Sequence, residues 1–194
     1  MNKFVFCWLV AGRLLAVESL SAQTQIVPGQ GIGPLLIGQS YEEVVALLGF
    51  EGKLKTFSDY VSEVLFSESP DNYLECRIGF DYYVRYEHLL TLPVSYVFYK
   101  EDKINQIMVS SLPAYYRDLS RDIKTAQGSA FWGTAEDIRR SYGVESVIRD
   151  FPAFMYSAMF YFSRGISFHM HSGEYRTAHI FQPPGADLMQ SFSR

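Results

Sequence analysis

The chain has 194 residues, 48% of them hydrophobic and 20% charged, with a formal net charge of −4. Nucleic acid is excluded as a partner, because phosphate affinity needs clustered Lys and Arg and no basic stripe is present. A chain of this length and apolar content can bury a core without covalent staples.

The first residues, MNKFVFCWLVAGRLLAVESLSAQTQ, carry Lys3, a short apolar stretch over 4–12 and small residues at Ser19, Ser21 and Ala22. This pattern predicts a secretory signal peptide over 1–22, cleaved after Ala22. The apolar stretch is too short for a stable membrane span. Cleavage leaves 15 basic and 20 acidic residues, a net charge of −5, and Cys76 as the one remaining cysteine. The expected location is therefore exported, periplasmic or secreted. Cys76 sits in YLECRIGF and reads as a small buried hydrophobe rather than a reactive thiol.

Gly29, Gly31 and Gly33 form a run that precedes a short strand at Leu35 to Ile37. A phosphate cradle follows a strand and opens a helix, so this run reads as a turn. Ser40 and Glu43 make a capping box for a helix with Tyr41, Val44 and Leu48 on one stripe and Gly49 as its stop. Residues 50–72 suit a second amphipathic helix or a strand, through Phe57, Tyr60, Val61, Val64 and Leu65. From Tyr73 a period of two predicts a strand, with Leu74, Cys76, Ile78 and Phe80 on one face and Tyr73, Glu75 and Arg77 on the other. VSYVFYK and INQIMVSS flank Glu101-Asp102 as a hairpin. A polar connector, 113–124, carries a helical stripe of Tyr116, Leu119 and Ile123.

The grammar then recurs. Thr134, Asp137, Ile138, Tyr142 and Gly143 stand where Ser40, Glu43, Val44, Leu48 and Gly49 stood. FMYSAMFYF (154–162) reads as a buried strand. GISFHMH and EYRTAHIF flank Ser172-Gly173, a tight turn. The tail, 184–194, follows Pro183-Pro184 and is expected to be loose. The expected fold is α+β: two tandem repeats, 23–112 and 125–183, each a short helix or helix pair packed on an antiparallel β-meander. Whether the two share one continuous sheet is left open.

The stretch GIGPLLIGQSYEEVVALLG, followed by aromatic strands and an acidic hairpin, resembles a theme in exported bacterial proteins. The theme includes the SmpA/OmlA-type lipoproteins and the beta-lactamase inhibitor proteins. Gly38, Ser40, Glu43, Val44, Leu48 and Gly49 match its helix pattern. The second copy matches at Thr134, Asp137, Ile138, Tyr142 and Gly143 but has Trp132 where Gly38 would stand. The resemblance implies a non-enzymatic binding or scaffolding protein of the cell envelope, without the lipid-anchoring Cys of the lipoprotein members.

Two groups of side chains are candidate sites. Tyr and Phe total 29 residues, and Tyr83, Arg85, Tyr99 and Tyr116 are expected to form an exposed surface that docks another protein. In the second hairpin, pairing of His171 with Glu174 and His169 with Arg176 would gather His169, His171 and Glu174 on one strand face. Two imidazoles and a carboxylate could hold a divalent metal, although Arg176 beside them opposes a cation, and the expected state is metal-free and without cofactor. His179 faces outward if a bulge follows Tyr175. The expected function is non-catalytic protein binding or envelope assembly. The alternatives are an inhibitor or immunity-type protein and, third, a metal-dependent hydrolase. A convergent polar pocket around the histidines would favour the hydrolase, and an open convex strand face would not.

Overall fold

A computed structural model describes residues 25–63, 65, 69–87, 94–111, 123–128, 133–151 and 156–192. The signal segment, Tyr116 and nearly all of the connector lie outside the described residues.

The Gly-rich entry forms β1 (Gln25–Val27), β2 (Gly31–Ile32) and β3 (Leu35–Leu36). A Cβ at Gly31 would lie 2.0 Å from the Leu35 carbonyl oxygen, so the close approach of β2 and β3 requires glycine there. The first helix, α1 (Tyr41–Leu48), has the expected capping box, with Ser40 Oγ accepting from the Glu43 N–H and Gly49 closing the helix at φ 76°. The edge strand β4 (Leu54–Thr56) leads into α2 (Phe57–Glu63), and a short 3-10 turn over Pro70–Asn72 leads into α3 (Leu74–Ile78).

The core of the segment over 73–80 is thus a helix, Leu74–Ile78, not the strand expected from its period of two. Apolar residues at 74, 76 and 78 fit either element over so short a run. As a helix, α3 puts Leu74 and Ile78 into one apolar cluster and Tyr73 and Cys76 against another.

The remaining strands are β5 (Tyr82–Glu87), β6 (Val94–Lys100), β7 (Lys103–Ser110), the two-residue β8 (Lys124–Thr125), and, after α4 (Ala135–Tyr142), β9 (Val147–Phe151), β10 (Tyr156–Tyr161), β11 (Ile166–His171) and β12 (Glu174–Phe181). Both expected hairpins form. Glu101 and Asp102 have φ of 52° and 58°, and Ser172 and Gly173 have 53° and 82°, the left-handed pairs of a tight hairpin turn.

One continuous sheet of eight strands results, ordered β4-β5-β6-β7-β12-β11-β10-β9, beside a small sheet ordered β3-β2-β1-β8. All pairings in the large sheet are antiparallel, so the fold is α+β with strand predominating.

Side chains alternate across the large sheet and bury on both faces. Val84, Val97, Tyr99, Ile107, Phe168, Ala178 and Ile180 join Val44 of α1 and Ile138 and Tyr142 of α4 in one core, with Ile26, Ile32 and Leu35 of the small sheet. Tyr83, Phe98 and Met108 pack on the opposite face with Tyr60 of α2, while Phe160 and Phe181 pack there with Leu74 of α3. Helices short of about 12 residues are marginal alone, so these docked stripes are what hold them.

The tail is not loose. It forms α5 (Ala186–Phe192), and Phe192 is fully buried against Phe160 and Phe162.

Candidate functional site

Two members of the expected aromatic docking surface, Tyr83 and Tyr99, are core residues rather than surface ones. Tyr83 and Tyr99 are each 0% exposed and project from opposite faces of the sheet, because α2 covers one face and α1 the other. Strand alternation alone separates them: Tyr83 pairs with Phe98, which is next to Tyr99 in β6. Arg85 is exposed, forms an ion pair with Glu87 at 2.6 Å and stands 5.9 Å over the Tyr96 ring.

The second hairpin carries a bulge between the register pairs His169↔Thr177 and Met170↔Tyr175, which leaves Arg176 as the extra residue. His171 pairs with Glu174 as expected, but His169 lies opposite Thr177, not Arg176. Downstream of the bulge, Ala178 and Ile180 enter the α1/α4 core, and His179 takes the other face. That face is covered too, so His179 is fully buried rather than exposed to solvent.

The bulge and the α2/α3 layer together create a cavity of about 340 Å³. Tyr60 and Leu65 wall it on one side, and Tyr73 and Glu75 enter from around the start of α3. Met108, Phe151, Tyr156, His169, His171 and Thr177 complete the walls from the large sheet. The volume falls within the range of small-molecule sites, roughly 300 to 1,000 Å³.

Glu75 is the most unusual wall residue. It is 2% exposed, and its Oε1 accepts a 2.8 Å hydrogen bond from the Tyr60 hydroxyl. Burial raises its pKa above the usual carboxylate value, against hydrogen bonds from its own backbone and from Tyr60. No ion pair reaches it among the described residues. The helix is anchored over the sheet by Gln106, whose Nε2 donates to the backbone carbonyls of Glu75 and Gly79 at 3.1 and 3.3 Å.

The two buried histidines are neutral. Burial lowers His169 to a pKa of about 4, and burial followed by the neighbouring His169 lowers His179 well below the usual imidazole value. His169 Nδ1 lies 2.6 Å from the Tyr156 hydroxyl, and its Nε2 lies 3.1 Å from the Ser167 hydroxyl. With the Gln106 Nε2 committed to two carbonyls, its Oε1 accepts from His179 Nε2 at 2.9 Å. That bond fixes the His179 tautomer, and among the described residues its Nδ1 has no partner.

His169 and His171 therefore share a cavity wall, but Glu174 does not reach it. Glu174 accepts from Arg176 Nη2 at 3.1 Å instead. Both His169 nitrogens are engaged within the protein, and no cluster of three metal-ligating residues exists among the described residues. His169, His171 and Glu174, the candidate trio, are not brought together, since Glu174 stands outside the cavity with Arg176.

Among the described residues no serine or cysteine lines the cavity, and the Thr177 hydroxyl in its wall donates to Ser110 Oγ at 2.9 Å. Ser167 is hydrogen-bonded to His169 but is fully buried and contributes no wall. The half-buried Cys76 thiol is pushed up to about 12 by burial and by Glu75 and Asp71, which keeps it protonated and inert.

Glu75 escaped the sequence reading because the period of two placed it on an outward face with Tyr73 and Arg77. The signal that identifies it is the Pro70–Asn72 turn, which starts a helix and rotates Glu75 inward.

No family model and no curated protein matches this chain. Among solved structures, it is similar to an extracellular protein containing an SCP domain from Bacillus anthracis str. Ames, with a TM-score of 0.40 and 10% identity over 80% of this chain. The chain spans about half, 52%, of that protein's length. Likeness at that level transfers neither fold nor activity. No helix among the described residues is long and apolar enough to cross a membrane.

Proposed function

We propose that this chain is an exported, non-catalytic binding protein that holds a small ligand in the cavity between α2, α3 and the large sheet. The observation that carries this reading is a cavity of about 340 Å³ with Glu75 buried in its wall. Burying a carboxyl group costs several kcal/mol unless it is compensated, so its place in an open cavity points to use by a ligand. No serine or cysteine stands among the described walls and the Thr177 hydroxyl is committed to Ser110, which favours binding over hydrolysis. The predicted signal segment favours export.

The doubled architecture is part of the same proposal. Ser40, the cap of α1, bridges to Lys103 at the start of β7, and Thr134, the cap of α4, bridges to Glu174 at the start of β12. The β5–β7 and β10–β12 meanders meet at the β7/β12 pair. These correspondences support two copies of one helix-and-meander unit, with the cavity built where the copies join.

The test is ligand-observed NMR with a panel of small aromatic and polar compounds. The reading expects saturable binding that is lost in His171→Trp, which fills the partly exposed rim while leaving the core intact. Absence of binding across the panel overturns it.

A second reading is protein docking at the sheet edge, in line with the resemblance and with an inhibitor role. Leu54 in edge strand β4 and Phe50 and Phe57 on either side of it are 50%, 49% and 38% exposed, an unusual apolar display beside an edge that no described strand pairs. A partner captured from envelope extract by the wild type and lost with Leu54→Lys supports it. Equal capture by both removes it.

A further inference from the structure

Resting on the reading that the cavity is a ligand site, we propose that its ligand is an organic cation whose ammonium group sits against Glu75 within aromatic walls. Glu75 is nearly inaccessible to solvent, hydrogen-bonded to the Tyr60 hydroxyl, and paired with no cationic side chain among the described residues. A buried carboxylate without a counter-charge is unfavourable, and a bound cation removes that penalty.

The walls suit the same occupant. Tyr60, Tyr73, Phe151 and Tyr156 line the cavity together with Glu75, and the Tyr60 hydroxyl contacts its carboxyl group. Tyr73 and Phe151 stack at 6.1 Å, and Phe151 and Tyr156 lie 5.1 Å apart, which makes a contiguous aromatic surface. The faces of such rings attract cations, and quaternary ammonium groups are recognised this way.

Among the described residues, no Lys or Arg lines the cavity to bring a competing positive charge. His169 is neutral, with its nitrogens engaged by Tyr156 and Ser167. Arg149 is directed elsewhere, 4.1 Å over the Phe192 ring with Nη1 donating to the Asn72 carbonyl. An anionic ligand would meet a buried acid and, among the described walls, no Lys or Arg to hold it.

Calorimetric or NMR titration of the full chain with choline, against its uncharged tert-butyl isostere, tests the proposal. Choline is expected to bind roughly tenfold or more tightly than the isostere, as a desolvated cation–π contact predicts. Glu75→Gln, which keeps an oxygen for the Tyr60 hydroxyl, is expected to erase the preference while leaving any isostere binding in place. The choline and isostere comparison on the wild type stands even if the variant does not fold. Equal affinity of the two probes, or isostere binding without choline binding, overturns the cationic assignment and leaves the cavity as a ligand site. Failure of both probes together with every other small aromatic compound overturns the ligand site itself.

Discussion

The Tyr60 hydroxyl donates to Glu75 Oε1 at 2.8 Å, joining α2 to α3 through two fully buried polar side chains. The bond stabilises the carboxylate but does not offset the cost of burying it, and the net effect is a raised Glu75 pKa. A group whose folded pKa is raised contributes stability below its unfolded value, and that contribution is lost as pH rises through the folded value. Near neutral pH Glu75 is therefore a liability to the empty protein. Glu75→Gln is expected to raise stability at pH 7 to 8 by on the order of 1 kcal/mol, as replacements of functional groups commonly do. Tyr60→Phe is expected to lower it by about 1 to 2 kcal/mol, because it strands the acid. Urea denaturation of the three proteins at one pH checks both signs.

The buried His169 gives the opposite slope. Its pKa falls from the usual 6.5 to about 4 through burial. The unfolded chain therefore binds more protons between those values, and stability is lost as pH drops from 6.5 toward 4. The loss from this residue amounts to about 3 kcal/mol at pH 4 relative to pH 7. Among the described residues Tyr156, Ser167, Phe160 and His179 stand around the ring, Glu75 and His171 share its cavity, and His179 adds a loss in the same direction. Denaturant midpoints measured from pH 7 down to 4 should decline in the wild type and decline less in His169→Gln. A flat profile in the wild type contradicts the neutral, buried assignment.

The two capping boxes should behave alike. Ser40 Oγ accepts from the Glu43 N–H at 3.2 Å, and Thr134 Oγ1 accepts from the Asp137 N–H at 3.3 Å. Each return bond is also present, from the Ser40 N–H to Glu43 at 2.7 Å and from the Thr134 N–H to Asp137 at 2.9 Å. Ser40→Ala and Thr134→Ala are each expected to cost about 1 kcal/mol. The two caps are far apart in sequence and share no hydrogen-bond partner among the described residues, although their helices pack into one core, so the double variant should lose close to the sum of the two.

What the sequence made legible was local. Caps, stop glycines and hairpin turns are set by a few adjacent residues, so α1, α4 and both tight hairpins read correctly from Ser40, Thr134, Glu101-Asp102 and Ser172-Gly173. The cavity was not legible, because it depends on events no short window contains. One is the extra residue Arg176, a bulge that the local pattern allows after Tyr175 without deciding, which moves His169 opposite Thr177. Another is the helical turn that brings Glu75 onto the sheet from about 30 residues before its anchor Gln106. Burial of both sheet faces was also hidden. Phe and Tyr alternate on the two faces of β5 and β6, and the sequence of a doubly covered sheet does not announce which helix covers which face. For that reason Tyr83 and Tyr99 read as surface residues although each lies in the core.

The C-terminal helix offers a sharper test of the second face. Phe192 is fully buried, lies edge-on to Phe160 at 4.9 Å and to Phe162 at 5.9 Å, and is capped by the guanidinium of Arg149 at 4.1 Å. Arg77 of α3 stands 5.3 Å from the same ring, so one side chain ties the tail to both the sheet and the helix that carries Glu75. Phe192→Ala is expected to cost about 3 to 5 kcal/mol, the range for removing a buried aromatic ring. Phe192→Leu, which keeps most of the volume but removes the cation–π contacts, should cost appreciably less. Thermal unfolding measures the cost, and hydrogen exchange locates it. Loss of protection confined to α5 would show a tail that only rests on the core. Loss that extends to the amides of α3 would show that the tail holds the cavity wall in place, and the contact with Arg77 predicts the second result.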